Sequence, residues 1–262
     1  MSDQHNRVES PHLSLPAQLY VQTVRWAFTR FYREFSWTYD IVAALVSAGF
    51  WHDWTVSTQP YLRGRVLEVG CGTGNLQRAL ATSSTPQASV GFDLSRQMLA
   101  HTQRKVERTG STPSLVRGDA AQLPFPAASF NTVVATFPSE YIVSPQTLAE
   151  VRRVLSADGR LIVLLGARLT GDGLYYRLID IAYRITLQRS PRDLSQTRKL
   201  DSPQEARVDT ASSIVDVFLA QLLERMRQAG FHPRDQWLAA PGGHVYLIFG
   251  EVTHATRCYG RA

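Results

Sequence analysis

A glycine-rich turn between an apolar run and an acidic residue limits the folds open to this chain more than any other feature. Residues 66–74 read VLEVGCGTG, and Asp93 ends the next apolar run, residues 88–93. A short Val/Leu-rich run is typical of a buried parallel strand, and glycines let the backbone turn sharply beside a ligand. An acid about 20 residues further on is well placed to accept hydrogen bonds from ribose hydroxyls. The sequence therefore predicts an α/β fold with a site for a ribose-containing ligand.

The spacing of the glycines separates two classes of cofactor. A dinucleotide site requires Gly-x-Gly-x-x-Gly, but Asn75 and Gln77 stand where the third glycine would be. The chain instead has Glu-x-Gly-x-Gly-x-Gly over residues 68–74. This pattern resembles motif I of the class I S-adenosylmethionine (SAM) methyltransferases, in which the glycine loop packs against the methionine part of SAM. The alternative is a glycine-rich turn in some other α/β protein.

Later segments resemble the same family. Residues 116–130 (VRGDAAQLPFPAASF) resemble the segment after its third strand, where an acid lies beside the adenine amino group and a Leu-Pro-Phe loop follows. Residues 130–136 predict strand four, although Asn131 stands where many relatives have Asp. A turn at residues 157–160 and the apolar run 161–165 predict strand five.

The resemblance implies a Rossmann-like, doubly wound seven-stranded sheet of the α/β class with N-terminal helices. It covers residues 63–166 and resumes near residue 213, where Ser213 and Asp216 resemble a capping box. A short link at Pro241–Gly243 predicts a C-terminal antiparallel β-hairpin. The chain is most like the branch that includes the ubiquinone and menaquinone biosynthetic methyltransferases. This implies SAM-dependent methyl transfer to a small acceptor that is lipophilic or aromatic.

The resemblance also implies which residues bind SAM. Asp93 matches the acid that bonds the ribose hydroxyls, and Asp119 matches the acid beside the adenine amino group. Glu68 matches the acid that helps to hold the glycine loop and the amino group of SAM. The complete predicted set is Glu68, Gly70, Cys71, Gly72, Gly74, Asp93, Leu94, Asp119, Ala120 and Thr136. Within it, we expect Cys71 to fill the loop as a small side chain.

The loop after strand four carries the catalytic candidates. It reads TFPSEY over residues 136–141, which differs from the Asn/Asp-Pro-Pro-Tyr of many methylases that act on nucleobase amino groups. Glu140 is the candidate general base, needed only if the nucleophile holds its proton at neutral pH, and Tyr141 is the candidate ring or hydroxyl contact. The alternative for Glu140 is a solvated loop carboxylate. The histidines weighed for a catalytic role are His52, His101 and His244. We expect no metal.

Two regions lie outside the resemblance. Residues 1–62 predict a tail and an aromatic-rich helical lid, and they hold four of the five tryptophans. These rings either pack the helices onto the sheet or close over the acceptor. Residues 63–262 are the predicted SAM-binding core, with an insertion at residues 168–210. The insertion either shapes the substrate pocket or is a surface excursion; peripheral membrane contact through an amphipathic helix is the less favoured third alternative.

Charge and composition bear on partners and location. The net charge is +6, but acids are interspersed and no run of five like charges occurs, so we expect no nucleic-acid partner. No apolar run approaches the ~20 residues of a membrane span, and residues 1–5 lack the basic flank of a secretory signal. With only two cysteines, the sequence favours a reducing, cytoplasmic setting. A catalytically silent SAM-binding or scaffold protein and an RNA or protein methyltransferase remain alternatives, and the oligomeric state is open.

Overall fold

One sheet forms the framework of the described part of the chain. The structure is a computed structural model and describes residues 47, 49–86, 88–170 and 210–252. Its strands are β1 (Arg65–Val69), β2 (Ala88–Asp93), β3 (Ser114–Arg117), β4 (Phe130–Thr136), β5 (Leu155–Leu169), β6 (Phe231–Ala240) and β7 (Gly243–Val252). They pair in the order β3-β2-β1-β4-β5-β7-β6, and β7 runs opposite in direction to the other six strands. The predicted seven-stranded sheet with a C-terminal hairpin is therefore confirmed.

Helices cover both faces of the sheet. They are α1 (Trp51–Val56), α2 (Asn75–Ala81), α3 (Arg96–Glu107), α4 (Pro145–Val154) and α5 (Thr210–Gln228), with 3-10 helices at Gln59–Tyr61 and Glu140–Val143. Because successive strand residues point to opposite faces, Val66 packs with Leu76 of α2 in one core, whereas Leu67 packs with Leu148 of α4 and Leu222 of α5 in the other. The glycine loop lies where β1 passes into α2, between these two cores.

The helix ends follow their local sequence in most places. Ser95 caps α3 by accepting a hydrogen bond from the Met98 backbone N–H at 3.3 Å, as expected for a serine at this position. Gly230, with φ of +83°, follows the end of α5. The predicted capping box at Ser213 is wrong, because α5 begins at Thr210. A cap contributes only about 1 kcal/mol, which one further turn of helix can offset.

Strand β5 is longer than the sequence predicted. Phe130 pairs with Leu155 and Thr132 pairs with Arg160, so four residues of β5 lie opposite a single residue of β4. The predicted turn at residues 157–160 is thus absorbed into this irregularity. Beyond the predicted end at residue 165, β5 continues to Leu169 because it pairs with β7 up to that residue.

The described aromatic residues of the N-terminal region pack on the sheet. Residues 49–62 belong to the same compact unit as the sheet. Trp54 is buried, and its Nε1 donates to the Pro241 carbonyl at 2.9 Å. Tyr61 packs edge-on against Phe249, with ring centroids 5.0 Å apart. Packing onto the sheet therefore accounts for these two rings. The predicted helices before residue 47 and the insertion after Thr170 lie outside the described residues.

Within the described ranges, no helix combines the length and the apolar character needed to span a bilayer.

Candidate active site

The glycine loop after β1 has a left-handed backbone at each predicted glycine. Gly70, Gly72 and Gly74 have φ angles of +73°, +54° and +79°. L-residues with a Cβ rarely adopt such angles. The N–H groups of Gly70 and Cys71 both donate to the Phe92 carbonyl, at 2.7 and 3.0 Å. The loop is thus fixed against the end of β2 by its own backbone.

The three glycines differ in what surrounds them. A Cβ at Gly70 would lie 2.4 Å from Oη of Tyr141, and one at Gly74 would lie 2.6 Å from Cγ2 of Thr102. A Cβ at Gly72 would meet nothing within 4 Å. Packing inside the protein therefore requires the first and third glycines. The space beside Gly72 remains open for a ligand.

Asp93 lies at the tip of β2, as predicted, and its carboxylate contacts the glycine loop. One oxygen accepts from the Gly72 N–H at 2.9 Å, and the other accepts from the Ser95 N–H at 2.8 Å. Burial raises the pKa of this carboxyl, and the two hydrogen bonds act in the opposite direction. A carboxylate has about four acceptor positions, so sites remain for ribose hydroxyls.

Glu68 is buried beneath the loop in a polar network. Its oxygens accept from Nε2 of Gln77 at 2.8 Å and from Oγ1 of Thr136 at 3.3 Å. Gln77 accepts in turn from the Ser89 hydroxyl at 3.3 Å. Burial raises the pKa of Glu68 to about 8, so the carboxyl is mainly protonated at neutral pH. The network joins β1, α2 and β4 below the site and brings together two predicted residues, Glu68 and Thr136.

Sequence reasoning missed three residues that hold the loop from below. Gln77 and Ser89 complete the Glu68 network, and Thr102 of α3 donates through Oγ1 to the Gly72 carbonyl at 2.8 Å. A signal was present for Gln77: it precedes Leu80 by three positions, which places it on the inner face of α2. No comparable signal marks Thr102, because its partner is 30 positions away in the chain.

Cys71 fills the loop, as expected. Its side chain is buried, with Sγ 4.0 Å from Oγ1 of Thr102. Burial is the main cause that raises the pKa of this thiol well above its usual value. The nearby carboxyls of Glu68 and Asp93 raise the pKa further. Since the thiolate is the reactive form, Cys71 is an inert packing residue.

The predicted adenine contacts lie next to each other at the ends of β2 and β3. Asp93 pairs with Arg117, so Leu94 and Asp119 both follow neighbouring strand ends. The Leu94 side chain is 65% exposed. Asp119 is exposed and accepts from the Ala121 N–H at 2.9 Å, and Ala120 is half-buried. The edge thus offers an uncovered apolar surface beside an acceptor group.

Helix α4 fixes the loop that follows Asp119. Arg153 donates to the carbonyls of Leu123 and Phe125 at 2.9 and 2.7 Å. Glu150 accepts from the Leu123 N–H at 2.8 Å and also pairs with Arg153. These contacts tie the Leu-Pro-Phe segment to α4, and no sequence pattern indicated them.

The chain is strained where β4 ends. Phe137 has φ of +47°, an uncommon angle for a bulky residue. Its ring stacks on Trp51 of α1, with centroids 4.1 Å apart and planes 24° from parallel. Strained backbone of this kind persists only where its surroundings enforce it, and it is concentrated at functional sites. An aromatic pair therefore stands immediately beside Thr136.

The two catalytic candidates have different environments in the 3-10 helix Glu140–Val143. Glu140 is exposed. Tyr141 is half-buried, and its hydroxyl donates to the Val69 carbonyl at 2.8 Å, directly above Gly70. Tyr141 thus holds the glycine loop in addition to any contact with a ligand. The structure brings it together with Gly70, and it leaves Glu140 on the solvent side of the same helix.

The sequence and fold were compared with known proteins. Residues 66–159 match a family described as "Methyltransferase domain". A demethylmenaquinone methyltransferase of Symbiobacterium thermophilum is 35% identical over 134 residues, 48% of this chain and 53% of that protein. The ubiquinone/menaquinone biosynthesis C-methyltransferase UbiE of Burkholderia mallei is 36% identical over 133 residues, 48% of this chain and 54% of that protein. The chain spans about half the length of the curated relatives it matches.

Solved structures have the same fold. A SAM-dependent methyltransferase from Thermotoga maritima superimposes with a TM-score of 0.52 and 17% identity, covering 86% of this chain and 99% of the other. The PH0226 protein of Pyrococcus horikoshii superimposes with a TM-score of 0.51 and 19% identity, covering 86% and 99%. At such identities the similarity establishes the architecture alone.

Proposed function

We propose that this protein transfers the methyl group of SAM to a small lipophilic or aromatic acceptor, because residues 66–159 match a methyltransferase domain family and the described chain shares the seven-stranded fold of a solved SAM-dependent methyltransferase. The proposal has two parts, a cofactor half at β1–β3 and an acceptor half at β4–β5. Each part rests on a separate observation and has its own test.

The open space beside Gly72 carries the cofactor half. It is bordered by the Asp93 carboxylate, which accepts from the Gly72 N–H, and it lies at the same strand edge as Leu94 and Asp119. SAM presents an amino-acid end, a ribose and an adenine ring. The glycine loop suits the amino-acid end, and the Asp93 carboxylate suits the ribose. The Leu94 side chain and the Asp119 carboxylate suit the adenine ring.

Two observations support a lipophilic or aromatic acceptor. The stacked rings of Trp51 and Phe137 stand beside Thr136, at the end of β4, and ligand pockets are lined mainly by apolar and aromatic groups. The relatives named above include a demethylmenaquinone methyltransferase and a ubiquinone/menaquinone biosynthesis C-methyltransferase. Quinone rings are flat and apolar, so the same chemistry suits a stacked aromatic wall.

The reaction is an in-line displacement at the methyl carbon. A bond forms between the nucleophile and this carbon, while the carbon–sulfur bond breaks and its electron pair remains on sulfur. SAM thereby becomes uncharged at sulfur, as S-adenosylhomocysteine. A nucleophile that still holds a proton must release it, and Glu140 is the group that we propose receives it, directly or through water. Tyr141 positions the glycine loop by its bond to Val69, and holding the reactants in line contributes much of the rate.

The cofactor half is tested by Asp93→Ala. Loss of the carboxylate removes charge-assisted bonds to the ribose, each contributing roughly 1.5–3 kcal/mol. We expect SAM affinity to fall at least about tenfold by isothermal titration calorimetry. Asp53→Ala, which removes an exposed acid from α1, is the matched control. Unchanged SAM affinity in a folded Asp93→Ala protein would refute the assignment.

The acceptor half is tested by supplying aromatic nucleophiles with labelled SAM. We expect methyl transfer to 1,4-naphthohydroquinone, the electron-rich form of a quinone ring. We expect Trp51→Ala to lower its kcat/KM at least about tenfold, because the stacked wall is lost. The variant is informative if SAM affinity is retained, and Trp51→Phe should recover part of the activity. Equal kcat/KM in the wild type, Trp51→Ala and Trp51→Phe would mean that Trp51 and Phe137 pack against each other without contacting the acceptor.

The alternative functions predict different results. A silent SAM-binding protein would bind SAM but form no S-adenosylhomocysteine with any hydroquinone, phenol or metabolite extract. An RNA methyltransferase would bind RNA tightly, with an affinity that falls steeply as salt is raised.

A further inference from the structure

Helix α3 bonds both to the glycine loop and to the acid at the tip of β2. Just before the helix, the Ser95 N–H donates to one oxygen of Asp93 at 2.8 Å. Seven positions later, about two turns of helix, Oγ1 of Thr102 donates to the Gly72 carbonyl at 2.8 Å. The Gly72 N–H donates to the other oxygen of Asp93 at 2.9 Å. These contacts form a closed circuit from Asp93 through Gly72 and Thr102 and back along α3.

The Thr102 side chain is buried against the glycine loop. It is 0% exposed, and a Cβ at Gly74 would lie 2.6–2.8 Å from three of its atoms. Sγ of Cys71 lies 4.0 Å from its Oγ1. A threonine hydroxyl has a single proton to donate, and Thr102 gives it to the Gly72 carbonyl. The side chain is therefore committed to the loop.

Gly72 is the glycine of the loop whose conformation packing does not fix. A Cβ there would meet nothing within 4 Å, whereas one at Gly70 or Gly74 would clash. Glycine also has the widest choice of backbone angles. The peptide group before Gly72 is held by the bond from its N–H to Asp93, and the peptide group after it is held by the bond from Thr102 to its carbonyl. Without Thr102, only the first of these two hydrogen bonds would restrain Gly72.

This restraint bears on the cofactor because Gly72 and Asp93 border the open space that we assign to SAM. If the loop leaves this arrangement for part of the time, it can bind only for the remaining fraction, and the observed affinity falls by that fraction. Holding the loop in place before SAM arrives also reduces the entropy lost on binding. Thr102 need not touch the cofactor for either effect.

We propose that Thr102 is a positioning residue that raises the affinity for SAM by holding Gly72 against Asp93. The inference rests on the proposed function and adds a residue outside the predicted cofactor set. Because Thr102 acts through the loop and not on the reacting atoms, its loss should raise KM for SAM and leave kcat at saturating SAM unchanged.

Calorimetry with SAM tests the proposal on the full chain. Thr102→Val removes the hydroxyl but keeps the branched shape, and Thr102→Ala removes it without placing a methyl group near the Gly72 carbonyl. We expect both variants to bind SAM about five- to tenfold more weakly than the wild type. Thr102→Ser keeps the hydroxyl and should bind within about twofold of the wild type.

A double variant tests the route of the effect. Adding Thr102→Val to Asp93→Ala should weaken SAM binding by less than about twofold more, because the contact through which Thr102 acts is already lost. Hydrogen exchange supplies a readout without SAM. The backbone amides of residues 70–74 should exchange faster in Thr102→Val than in the wild type, because Gly72 is less restrained.

Thr132 provides the matched control. It is 0% exposed, and its Oγ1 donates to the Arg63 carbonyl at 2.9 Å. It pairs with Val66 near the start of β1, whereas the glycine loop follows the end of that strand. Thr132→Val should lower the melting temperature, as Thr102→Val does, but leave SAM affinity and the exchange of residues 70–74 unchanged.

Three results in a wild type that binds SAM would each overturn the proposal. They are unchanged affinity in Thr102→Val and Thr102→Ala, an equal loss of affinity in Thr132→Val, and the same fold-loss from Thr102→Val with and without the Asp93 carboxylate. Failure of the wild type to bind SAM would instead refute the proposed function.

Discussion

The cofactor half and the acceptor half lie at the edge of the sheet where the parallel strands end. They differ in how many of their polar groups have hydrogen-bond partners. In the cofactor half, Gly72, Asp93 and Glu68 are bonded to neighbours within the protein. In the acceptor half, buried nitrogens of Arg168 and His244 lack partners among the described residues, and Phe137 carries a strained backbone. Both halves lie at the end of the same sheet, so the difference does not arise from their position in the fold.

This difference indicates how each half meets its ligand. The bonded cofactor half has its geometry before SAM arrives, which reduces the entropy lost on binding. On the proposed function, SAM would meet a site that the protein already holds in place, whereas the acceptor would meet the strained backbone of Phe137.

The largest expected effect is the loss of SAM binding in Gly72→Val. Its Cβ would meet no protein atom within 4 Å, so the branched side chain would enter the open space that we assign to SAM. We expect affinity to fall at least about 1,000-fold, or ~4 kcal/mol. The left-handed backbone at Gly72, with φ of +54°, also costs about 1–2 kcal/mol, which we expect the folded state to survive. Calorimetry with SAM and a thermal melt check both points. Retained binding would show that the loop does not approach the ligand, and the cofactor half would need a different explanation.

Gly70→Ala should act on stability instead. Its Cβ would lie 2.4 Å from Oη of Tyr141, and φ is +73°. The left-handed backbone costs about 1–2 kcal/mol, and crowding about 1 kcal/mol more. We expect urea unfolding to show a loss of roughly 2–3 kcal/mol in the free energy of unfolding. The double variant with Tyr141→Phe should regain part of this loss, since the clashing oxygen is removed. No recovery would mean that Tyr141 is not what constrains the loop.

Glu68→Gln should change the pH dependence of stability. Burial raises the pKa of Glu68 to about 8 from its ordinary value of 4.5. Between these pH values the folded state holds a proton that the unfolded state has lost, so wild-type stability falls as pH rises and levels off above about pH 8. The slope is at most about 1.4 kcal/mol per pH unit. Urea unfolding from pH 5 to 9 should show that the free energy of unfolding of the variant lacks this fall with pH. If the wild type and the variant change with pH in the same way, the Glu68 carboxyl is instead ionised beneath the loop.

The smallest expected effect is that of Arg153→Met. It removes two hydrogen bonds to the carbonyls of Leu123 and Phe125 but leaves a similar apolar stem. We expect SAM affinity to fall about two- to fivefold, which is under 1 kcal/mol, because the loop after Asp119 is held less tightly. Arg152→Met, the neighbour in the chain, is the control. Equal affinity in both variants would show that α4 supports the fold but not the cofactor half.

Sequence reasoning predicted the cofactor half better than the acceptor half. The seven-stranded fold was predicted from the glycine loop and later segments, and it is confirmed. Residues 66–159 match the methyltransferase domain family that the same segments indicated. The bounds of β4 were predicted correctly. The length of β5 was not, because its last residues are strand only where β7 pairs with them. The individual cofactor and catalytic assignments stay predictions.

The sequence by itself determined which features local chemistry can specify. Glycines at 70, 72 and 74 permit a left-handed loop, and the apolar runs 66–69 and 161–165 indicate the buried strands β1 and β5. Only the tertiary structure decided which groups meet across the chain. Tyr141 reaches Val69, Thr102 reaches Gly72, and Arg168 comes beside Trp237, because strand order brings together residues that are 30 to 72 positions apart. Contacts of that kind depend on sheet register, which no short segment encodes.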